Sequence, residues 1–431
     1  MIALEAPFMP AVRPVRGPAR DAAPATAPAA TAAPAPRVAI VSDTVDDING
    51  VALGLRRLVA AANRAGCAAT LVGPSAGPGG ETSPAAAAPG GDAVVRISAA
   101  MSAALPFYPG MTWSVPELPA LAAHLARSAD LVQLATPGPM GIAGLIAGRM
   151  LGLPVIAQYH TEVAEYAGRM TGLPFVRDLV GPLVGWFYRQ AELCLAPSEA
   201  VVQRLLALGV PAERVRRIRR GVDLELFQPA RRDRGVLARF GIGEGDGPVA
   251  LYVGRLSKEK NLDALGRAWA EVHAARPDAR LLVVGEGPLA GAVSGPGTVV
   301  AGPLFGEELA AVFASADVFA FPSETETFGN VVVEAAASGL PAVVAAAGAA
   351  HEHVADGETG LVIDGADPRS LARALLALLG DPARRQAMGR AARARAAGYD
   401  LAAAVRSTWD IYREIGRERA AAIEPAFEAA S

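Results

Sequence analysis

The chain has 431 residues, 52% of them hydrophobic, and a formal net charge of −3, which is the composition of a globular protein with two or three domains. Only two cysteines are present, Cys67 and Cys194, and they exclude a disulfide-built fold. The near balance of 40 basic and 43 acidic residues excludes a protein that coats nucleic acid, because such binding requires concentrated positive charge. We therefore expect no nucleic-acid partner.

The N-terminal segment is dominated by Ala, Pro and Arg and lacks an apolar period that could fill a core. We predict a disordered tail over residues 1–36. The chain shows neither the apolar region of a secretory signal nor an apolar run of about 20 residues. These features predict a cytoplasmic protein without a membrane-spanning helix.

From residue 37 onward, short β-branched runs alternate with helical stretches rich in Ala, Leu and Arg. This alternation predicts an α/β fold of two Rossmann-like domains, each a parallel sheet covered by helices, facing a central cleft. The predicted boundaries are 37–220 for the first domain, 221–398 for a linker and the second domain, 399–417 for a helix that returns to the first domain, and 418–431 for a tail. Ligands bind at the carboxyl ends of such strands, so the loops that follow them are the candidate sites.

The segment FPSETETFGNVVVEAAASGLP, residues 321–341, runs from a strand through a loop into a helix. Glu326 falls in the loop and Glu334 in the helix, and the free amides at the helix start lie between them. Carboxylates accept hydrogen bonds from adjacent hydroxyls, and helix N-termini favour anions or polyhydroxyl ligands. The pair suits a sugar and a ribose, although two solvated glutamates on a surface helix would give the same pattern.

A second motif, LYVGRLSKEKNLD at residues 251–263, ends a strong strand at Gly254 and places Arg255 and Lys260 before the next helix. Two fixed cations beside a tight turn are suited to a diphosphate. The alternative is a solvated loop in which Lys258 and Glu259 are surface charges. No Walker-type phosphate loop is present.

Taken together and in this order, these motifs resemble the family 4 retaining glycosyltransferases of GT-B fold, and specifically the branch of bacterial mannosyl- and glucosyltransferases that build glycolipids. RRGVDLELF and HEHVADGETGLV add to the likeness, which covers residues 37 to about 415. The resemblance implies that the first domain is on the acceptor side and the second binds the nucleotide sugar.

The resemblance also implies roles for individual residues. Arg255 and Lys260, beside Gly254, would hold the donor diphosphate. Glu334 would bind the ribose hydroxyls, and Glu326 would hold the donor sugar.

Further donor contacts are implied at the backbone. The segment that follows Glu326 would contact the donor sugar through Thr327, Phe328, Gly329 and Asn330. Leu304, in the loop AGPLF, would offer backbone groups to the base.

In the first domain, Gly50 opens a helix where the family places a glycine loop against the donor phosphate. Close approach there requires a missing side chain. His160 ends a strand where the family places a histidine near the donor sugar. The other histidines are expected at the surface: His124, His273, His351 and His353. The residues expected to act in catalysis are His160, Arg255, Lys260 and Glu326.

The resemblance implies no metal and no cofactor, with the nucleotide sugar as co-substrate. An aspartate cluster at residues 43–47 fits a metal site, but it also fits a cap and loop. In this family, front-face displacement with stabilisation of the leaving group is the usual proposal.

Two features bear on the acceptor. The helix at 173–190 contains Phe175, Leu179, Leu183, Trp186 and Phe187. It is predicted either as an interfacial amphipathic helix or as an ordinary core-facing helix. The arginines of 214–220 either attract anionic lipid or form a solvated face.

The function expected is transfer of a mannose- or glucose-type hexose from a nucleotide diphosphate sugar, GDP-mannose or a UDP-hexose, to a lipid or glycan acceptor. A lipid acceptor would bring the protein into peripheral contact with the inner membrane surface. Two alternatives remain at this stage, a nucleotide-sugar 2-epimerase of the same fold and a non-catalytic module that binds sugar nucleotides.

Overall fold

The computed structural model describes residues 35–46, 50–78, 83–87, 93–104, 112–243, 245–365 and 367–428. These residues belong to one compact unit, Ala35–Ser431. Nearly all of the predicted N-terminal tail therefore lies outside the described residues.

Within the described residues, the first sheet has nine strands in the order β3-β4-β2-β1-β6-β7-β8-β9, with β5 paired to β4. The strands are β1 (Val38–Val41), β2 (Ala69–Pro78), β3 (Ser83–Ala87), β4 (Ala93–Ala104), β5 (Thr112–Pro116), β6 (Leu131–Leu134), β7 (Val155–Gln158), β8 (Leu193–Ala196) and β9 (Val215–Arg217). Every residue of β1, β6, β7 and β8 is buried, because helices cover both faces of the sheet. The helices are α1 (Gly50–Arg64), α2 (Leu118–Ser128), α3 (Pro139–Met150), α4 (Val163–Thr171), α5 (Pro174–Arg189) and α6 (Glu199–Ala207).

One edge of this sheet departs from the predicted parallel order. Strands β3 and β5 both pair antiparallel with β4, whereas the pairings from β4 through β2 to β9 are parallel. The sequence of β3 is SPAAA, and small residues of low strand propensity give no strand signal. The sequence therefore did not predict this edge.

The second sheet has the order β12-β11-β10-β13-β14-β15 in the described residues, and all its pairings are parallel. Its strands are β10 (Val249–Val253), β11 (Arg280–Val284), β12 (Thr298–Gly302), β13 (Val318–Phe321), β14 (Ala342–Ala345) and β15 (Gly360–Ile363). The helices that follow the first sheet are α7 (Gly235–Ala238), α8 (Leu262–Ala275), α9 (Gly306–Ser315), α10 (Asn330–Ala337), α11 (Pro368–Leu379), α12 (Pro382–Ala396) and α13 (Leu401–Glu428). We call each sheet with the helices that cover it a lobe. The chain thus has a first and a second lobe.

Helix α13 follows the second lobe in sequence but packs on the first. Val405, Trp409 and Tyr412 are buried in one cluster with Ile40 of β1 and Leu131 of β6. The Tyr412 hydroxyl donates to the Gln133 side chain of β6. This helix therefore completes one face of the first sheet.

The length of α13 differs from the sequence prediction. The helix extends to Glu428, so residues 418–428, predicted as part of a tail, are helical. Ala and Glu predominate there and are good helix formers. In the described part of the chain, no helix combines the length and apolar character needed to cross a bilayer.

Candidate functional site

The loops after β10 and β13 bring a lysine and a glutamate together. Lys260 Nζ forms an ion pair with the Glu326 carboxylate, and the two side chains are only 12% and 15% exposed. Ser323 Oγ donates to the same carboxylate over 3.1 Å. Two predicted site residues, 66 positions apart in sequence, therefore meet at the carboxyl ends of β10 and β13, where ligands bind in open α/β sheets.

The turn after β10 holds the second cation. At Gly254 a Cβ atom would lie 2.9 Å from the Tyr252 hydroxyl, so only glycine fits without a shift. The Arg255 guanidinium lies 5.9 Å from the centre of the Tyr166 ring of α4 and 3.8 Å from the Glu259 carboxylate. Glu259 is buried and accepts a 2.5 Å hydrogen bond from Ser257 Oγ, so it is not the surface charge considered above.

Glu334 lies on α10 and reaches the first lobe. It is buried, and Arg57 Nη1 of α1 donates to its Oε1 over 2.7 Å. Burial raises the pKa of the Glu334 carboxyl, and Arg57 opposes that rise. Sequence reasoning missed Arg57, because a partner 277 positions away leaves no local signal.

His160 follows β7, and its ring is buried with neither nitrogen hydrogen-bonded within the described residues. Burial lowers the pKa of His160 to about 3, so the ring is neutral at ordinary pH. Its carbonyl accepts a 2.9 Å hydrogen bond from Thr327 Oγ1, while the Thr327 carbonyl accepts one of 2.8 Å from Ser198 Oγ. The loop predicted to hold the donor sugar is thus bonded to the first lobe.

A cavity lies between α1, α10 and α13. It is lined by side chains that include Arg57, His160, Arg220, Asn330 and Glu334. Three of these, His160, Asn330 and Glu334, were predicted from the sequence. Arg255 and Lys260 are not among its lining residues, so the predicted diphosphate cations lie in a neighbouring part of the site.

The remaining predicted residues occupy supporting positions. Gly329 has a φ of +87° and is the N-cap residue that precedes α10. Phe328 and Leu304 have buried side chains in the core of the second lobe. Gly50 is the exposed first residue of α1, and residues 47–49 before it lie outside the described residues.

The aspartates near β1 serve as a cap and as an ion-pair partner. Asp43 accepts hydrogen bonds from Thr136 Oγ1 and from the Met140 amide at the start of α3. Asp46 pairs with Arg56 and Arg96. Within the described residues, no three His, Cys, Asp or Glu side chains are grouped to hold a metal ion.

The arginine-rich segment at 214–220 does not form one face. Arg216 pairs with Glu414 of α13, and Arg217 pairs with Glu352 of the second lobe. Arg220 points into the cavity. The interpretation of this segment as a continuous lipid-attracting patch is therefore not supported.

His353 is the clearest correction to the sequence analysis, which placed it at the surface. It is buried, and its Nε2 lies 2.7 Å from the Phe328 carbonyl and its Nδ1 2.9 Å from the Tyr399 hydroxyl. Because a carbonyl can only accept, Nε2 carries the proton and Nδ1 accepts from Tyr399. His353 therefore fixes the backbone just before Gly329.

We expect His353 to make stability depend on pH. Burial lowers its pKa to about 4 from the ordinary 6.5, so protons bind the unfolded chain more readily. The contribution of neutral His353 to the free energy of unfolding is complete above pH 6.5 and is lost as the pH falls toward 4. Between pH 7 and pH 5 the loss is about 2 kcal/mol. Urea unfolding at both pH values should show a smaller pH dependence for His353→Gln than for the wild type. An equal dependence would contradict this assignment.

Comparisons with known proteins identify the family of this chain. Residues 48–226 match the family described as Glycosyltransferase Family 4, and residues 247–381 match that described as Glycosyl transferases group 1. The chain is 34% identical to the sulfoquinovosyl transferase SQD2 of Arabidopsis thaliana over 72% of this chain and 61% of that protein, so it spans less than two thirds of the plant protein. It is 35% identical to a GDP-mannose-dependent alpha-mannosyltransferase of Mycobacterium tuberculosis over 76% of this chain and 83% of that protein.

Solved structures share the fold. The Anabaena HepE protein, in a crystal structure with UDP-glucose, superposes with a TM-score of 0.69 at 18% identity, over 88% of this chain and 100% of that chain. At this identity the likeness concerns the fold alone. It extends over both lobes.

Proposed function

Because this chain belongs to the family 4 glycosyltransferases of GT-B fold, we propose that it transfers a mannose- or glucose-type hexose from a nucleotide diphosphate sugar to a lipid acceptor at a membrane surface. As a member of this family it is a retaining, metal-independent hexosyltransferase. Its relatives are named transferases, which favours transfer over the epimerase and non-catalytic alternatives. The mannosyltransferase named GDP-mannose-dependent makes GDP-mannose the first donor to test.

The observation that supports the proposal most is the placement of the two carboxylates predicted for the donor. Glu326 is paired with Lys260, while Glu334 lies buried in the cavity that also contains His160. A donor bound across these residues would place its diphosphate at Arg255 and Lys260, its sugar at Glu326 and its ribose at Glu334. Neutral His160 has ring nitrogens available to hydroxyls of the sugar.

The reaction proposed for this family assigns a role to each of these positions. The bond between the anomeric carbon and the diphosphate breaks while the acceptor oxygen bonds to the same face of that carbon, and the acceptor proton passes to the departing phosphate oxygen. Arg255 and Lys260 stabilise the negative charge that develops there. No residue of the chain becomes covalently attached, and no cofactor is required.

The acceptor proposal rests on the surface of α5. Four large apolar side chains on this helix are exposed: Phe175 by 62%, Leu179 by 73%, Leu183 by 54% and Trp186 by 41%. Val184, Phe187 and Tyr188, also on α5, are buried in the core of the first lobe, so the helix has an apolar stripe that faces solvent as well as one that faces the core. Such a stripe fits the interfacial zone of a membrane, and exposed Arg189 at the end of the helix favours anionic head groups.

Helix α4 connects α5 to the candidate donor site. Helix α4, which packs against α5, contacts the turn at Lys258–Lys260. Tyr166 of α4 lies under the Arg255 guanidinium. A lipid whose chains rest on α5 could therefore present its head group to the donor.

The direct test is transfer itself. The purified protein should move a hexose from GDP-mannose or UDP-glucose to lipids in vesicles, and NMR should show the anomeric configuration of the donor in the product. A thermal-shift series with GDP, UDP and ADP should identify the base, because a ligand bound only by the native state raises its stability. Epimerised nucleotide sugar without a glycolipid product would contradict the proposal.

The apolar stripe gives a separate prediction. Replacing Leu179 and Leu183 together with Glu should weaken binding to anionic vesicles by at least about tenfold, since each buried leucine contributes about 1.5–3 kcal/mol. Co-sedimentation with vesicles measures the effect. Val300→Glu is the matched control, because Val300 is an exposed apolar residue of the second lobe, on β12. Equal vesicle binding by the double variant and the control would exclude α5 as the membrane surface.

A further inference from the structure

Arg220 occupies a fixed position where the chain leaves the first lobe. It follows β9, and the next residue, Gly221, packs so closely on α13 that a Cβ atom there would lie 2.3 Å from the Leu401 Cα. The Val222 amide donates to the Tyr399 carbonyl over 2.8 Å. The backbone next to Arg220 is therefore fixed by its contacts with the start of α13 and the residues before it.

The Arg220 guanidinium lies inside the cavity. It stands 5.3 Å from the centre of the Phe328 ring, and its Nη2 is 3.0 Å from the point where a Cβ atom of Gly54 would lie. Gly54 belongs to the first turns of α1, so a side chain at that position would press on the guanidinium. Arg220 thus lies between the loop before α10 and the N-terminal part of α1.

No hydrogen-bond acceptor for this guanidinium is found among the described residues. Arg216 and Arg217, in the same segment, each have a carboxylate partner. The Glu326 carboxylate raises the affinity of Arg220 for its proton, whereas burial outweighs this and lowers the pKa of Arg220 to about 10. Glu326 is itself bonded to Lys260. Arg220 is partly buried, and a cation in a cavity without an acceptor among the described residues is suited to an anionic ligand.

The position identifies the kind of anion. The guanidinium lies in the cavity beside Phe328, on the loop that also carries Glu326 and is predicted to contact the donor. A guanidinium fork matches phosphate oxygens in a bidentate geometry. We propose that Arg220 binds the donor diphosphate as a third cation, from the segment between the lobes, and stabilises it as the leaving group.

This assignment rests on the proposed function and extends it. When the bond from the anomeric carbon to the diphosphate breaks, its electron pair remains on the phosphate oxygen, which also receives the acceptor proton. Arg220 spreads the developing charge together with Arg255 and Lys260. Because Arg220 touches the leaving group, it is a catalytic residue.

Binding measurements separate this role from a structural one. Calorimetry should show that Arg220→Gln lowers the affinity for GDP or UDP, whichever the wild type binds, by about 10- to 100-fold. The affinity for the matching nucleoside should be unchanged. The Arg220→Lys variant should recover part of the lost affinity. The dependence of the nucleotide Kd on salt should also become shallower in Arg220→Gln, which a structural role would not produce. The matched control is Arg214→Gln, an exposed arginine of the same segment.

Each outcome distinguishes the hypotheses. Wild-type affinity of Arg220→Gln for the nucleotide would overturn the role of Arg220 while leaving the proposed function intact. Equal losses for nucleotide and nucleoside would overturn it in favour of a structural role. Nucleotide affinity that stays intact while binding of an anionic lipid is lost would assign Arg220 to the acceptor instead. Failure of the wild type to bind any nucleotide would overturn the proposed function and this inference together.

Discussion

Replacing Lys260 with alanine should lower kcat by about 10²–10³-fold, the usual effect of removing one group that stabilises charge in the transition state. Lys260 is the cation bonded to Glu326 at the carboxyl ends of the second sheet. The substitution removes a cation that stabilises the leaving group, and it also leaves the Glu326 carboxylate without its ion-pair partner. Initial rates at saturating donor measure the effect on kcat, and the thermal midpoint shows whether the variant is folded.

The same turn supplies the control for this experiment. Lys258 lies two residues earlier and is exposed, so Lys258→Ala removes the same charge from the same loop. We expect this variant to retain nearly full activity. If the two alanine variants had equal rates, net charge near the loop rather than the position of Lys260 would determine activity.

Glu334→Ala should weaken nucleotide binding by about 10- to 100-fold, corresponding to 1–3 kcal/mol for buried hydrogen bonds. Glu334 is only 5% exposed, and Arg57 donates to it over 2.7 Å. Two ribose hydroxyls would have to share this carboxylate with Arg57 or displace Arg57 from it. Arg57 is 40% exposed and can be rehydrated, so the loss should fall on ligand binding more than on folding.

A nucleotide without ribose hydroxyls tests this directly. The 2′,3′-dideoxy form of the nucleotide should bind wild type and Glu334→Ala with similar affinity, because it lacks the groups that Glu334 receives. Calorimetry with both nucleotides gives the comparison. If the variant lost as much affinity for the dideoxy form as for the normal one, Glu334 would act through the shape of α10 rather than through the ribose.

The strands and the motifs that follow them could be predicted because their signals are local. Continuous apolar runs mark strands that are buried on both faces, and the loops after β10 and β13 contain the predicted site residues. Lys260 and Glu326 were both selected from the residue types in those loops. Their direct contact required only that the two strands be neighbours in a parallel sheet, as they are.

Contacts between residues far apart in the sequence could not be predicted in this way. Arg57 looks like any polar residue of an amphipathic helix until α10 is placed against it. His353 lies among charged neighbours in sequence, and its burial depends on Phe328 and Tyr399. Arg220 belongs to a run of arginines, and only the tertiary structure separates Arg219 and Arg220, which line the cavity, from Arg216 and Arg217, which are in ion pairs.

The course of α13 affects how the protein is synthesised. Trp409 and Tyr412 fill the face of the first sheet beside Leu131, yet they are translated long after the strands they cover. On the ribosome, the N-terminal half emerges with this apolar face open, while the second sheet has all its strands before α13 appears. The half that is made first is therefore completed last, and until residue 412 leaves the exit tunnel it exposes an apolar face of the kind that favours aggregation.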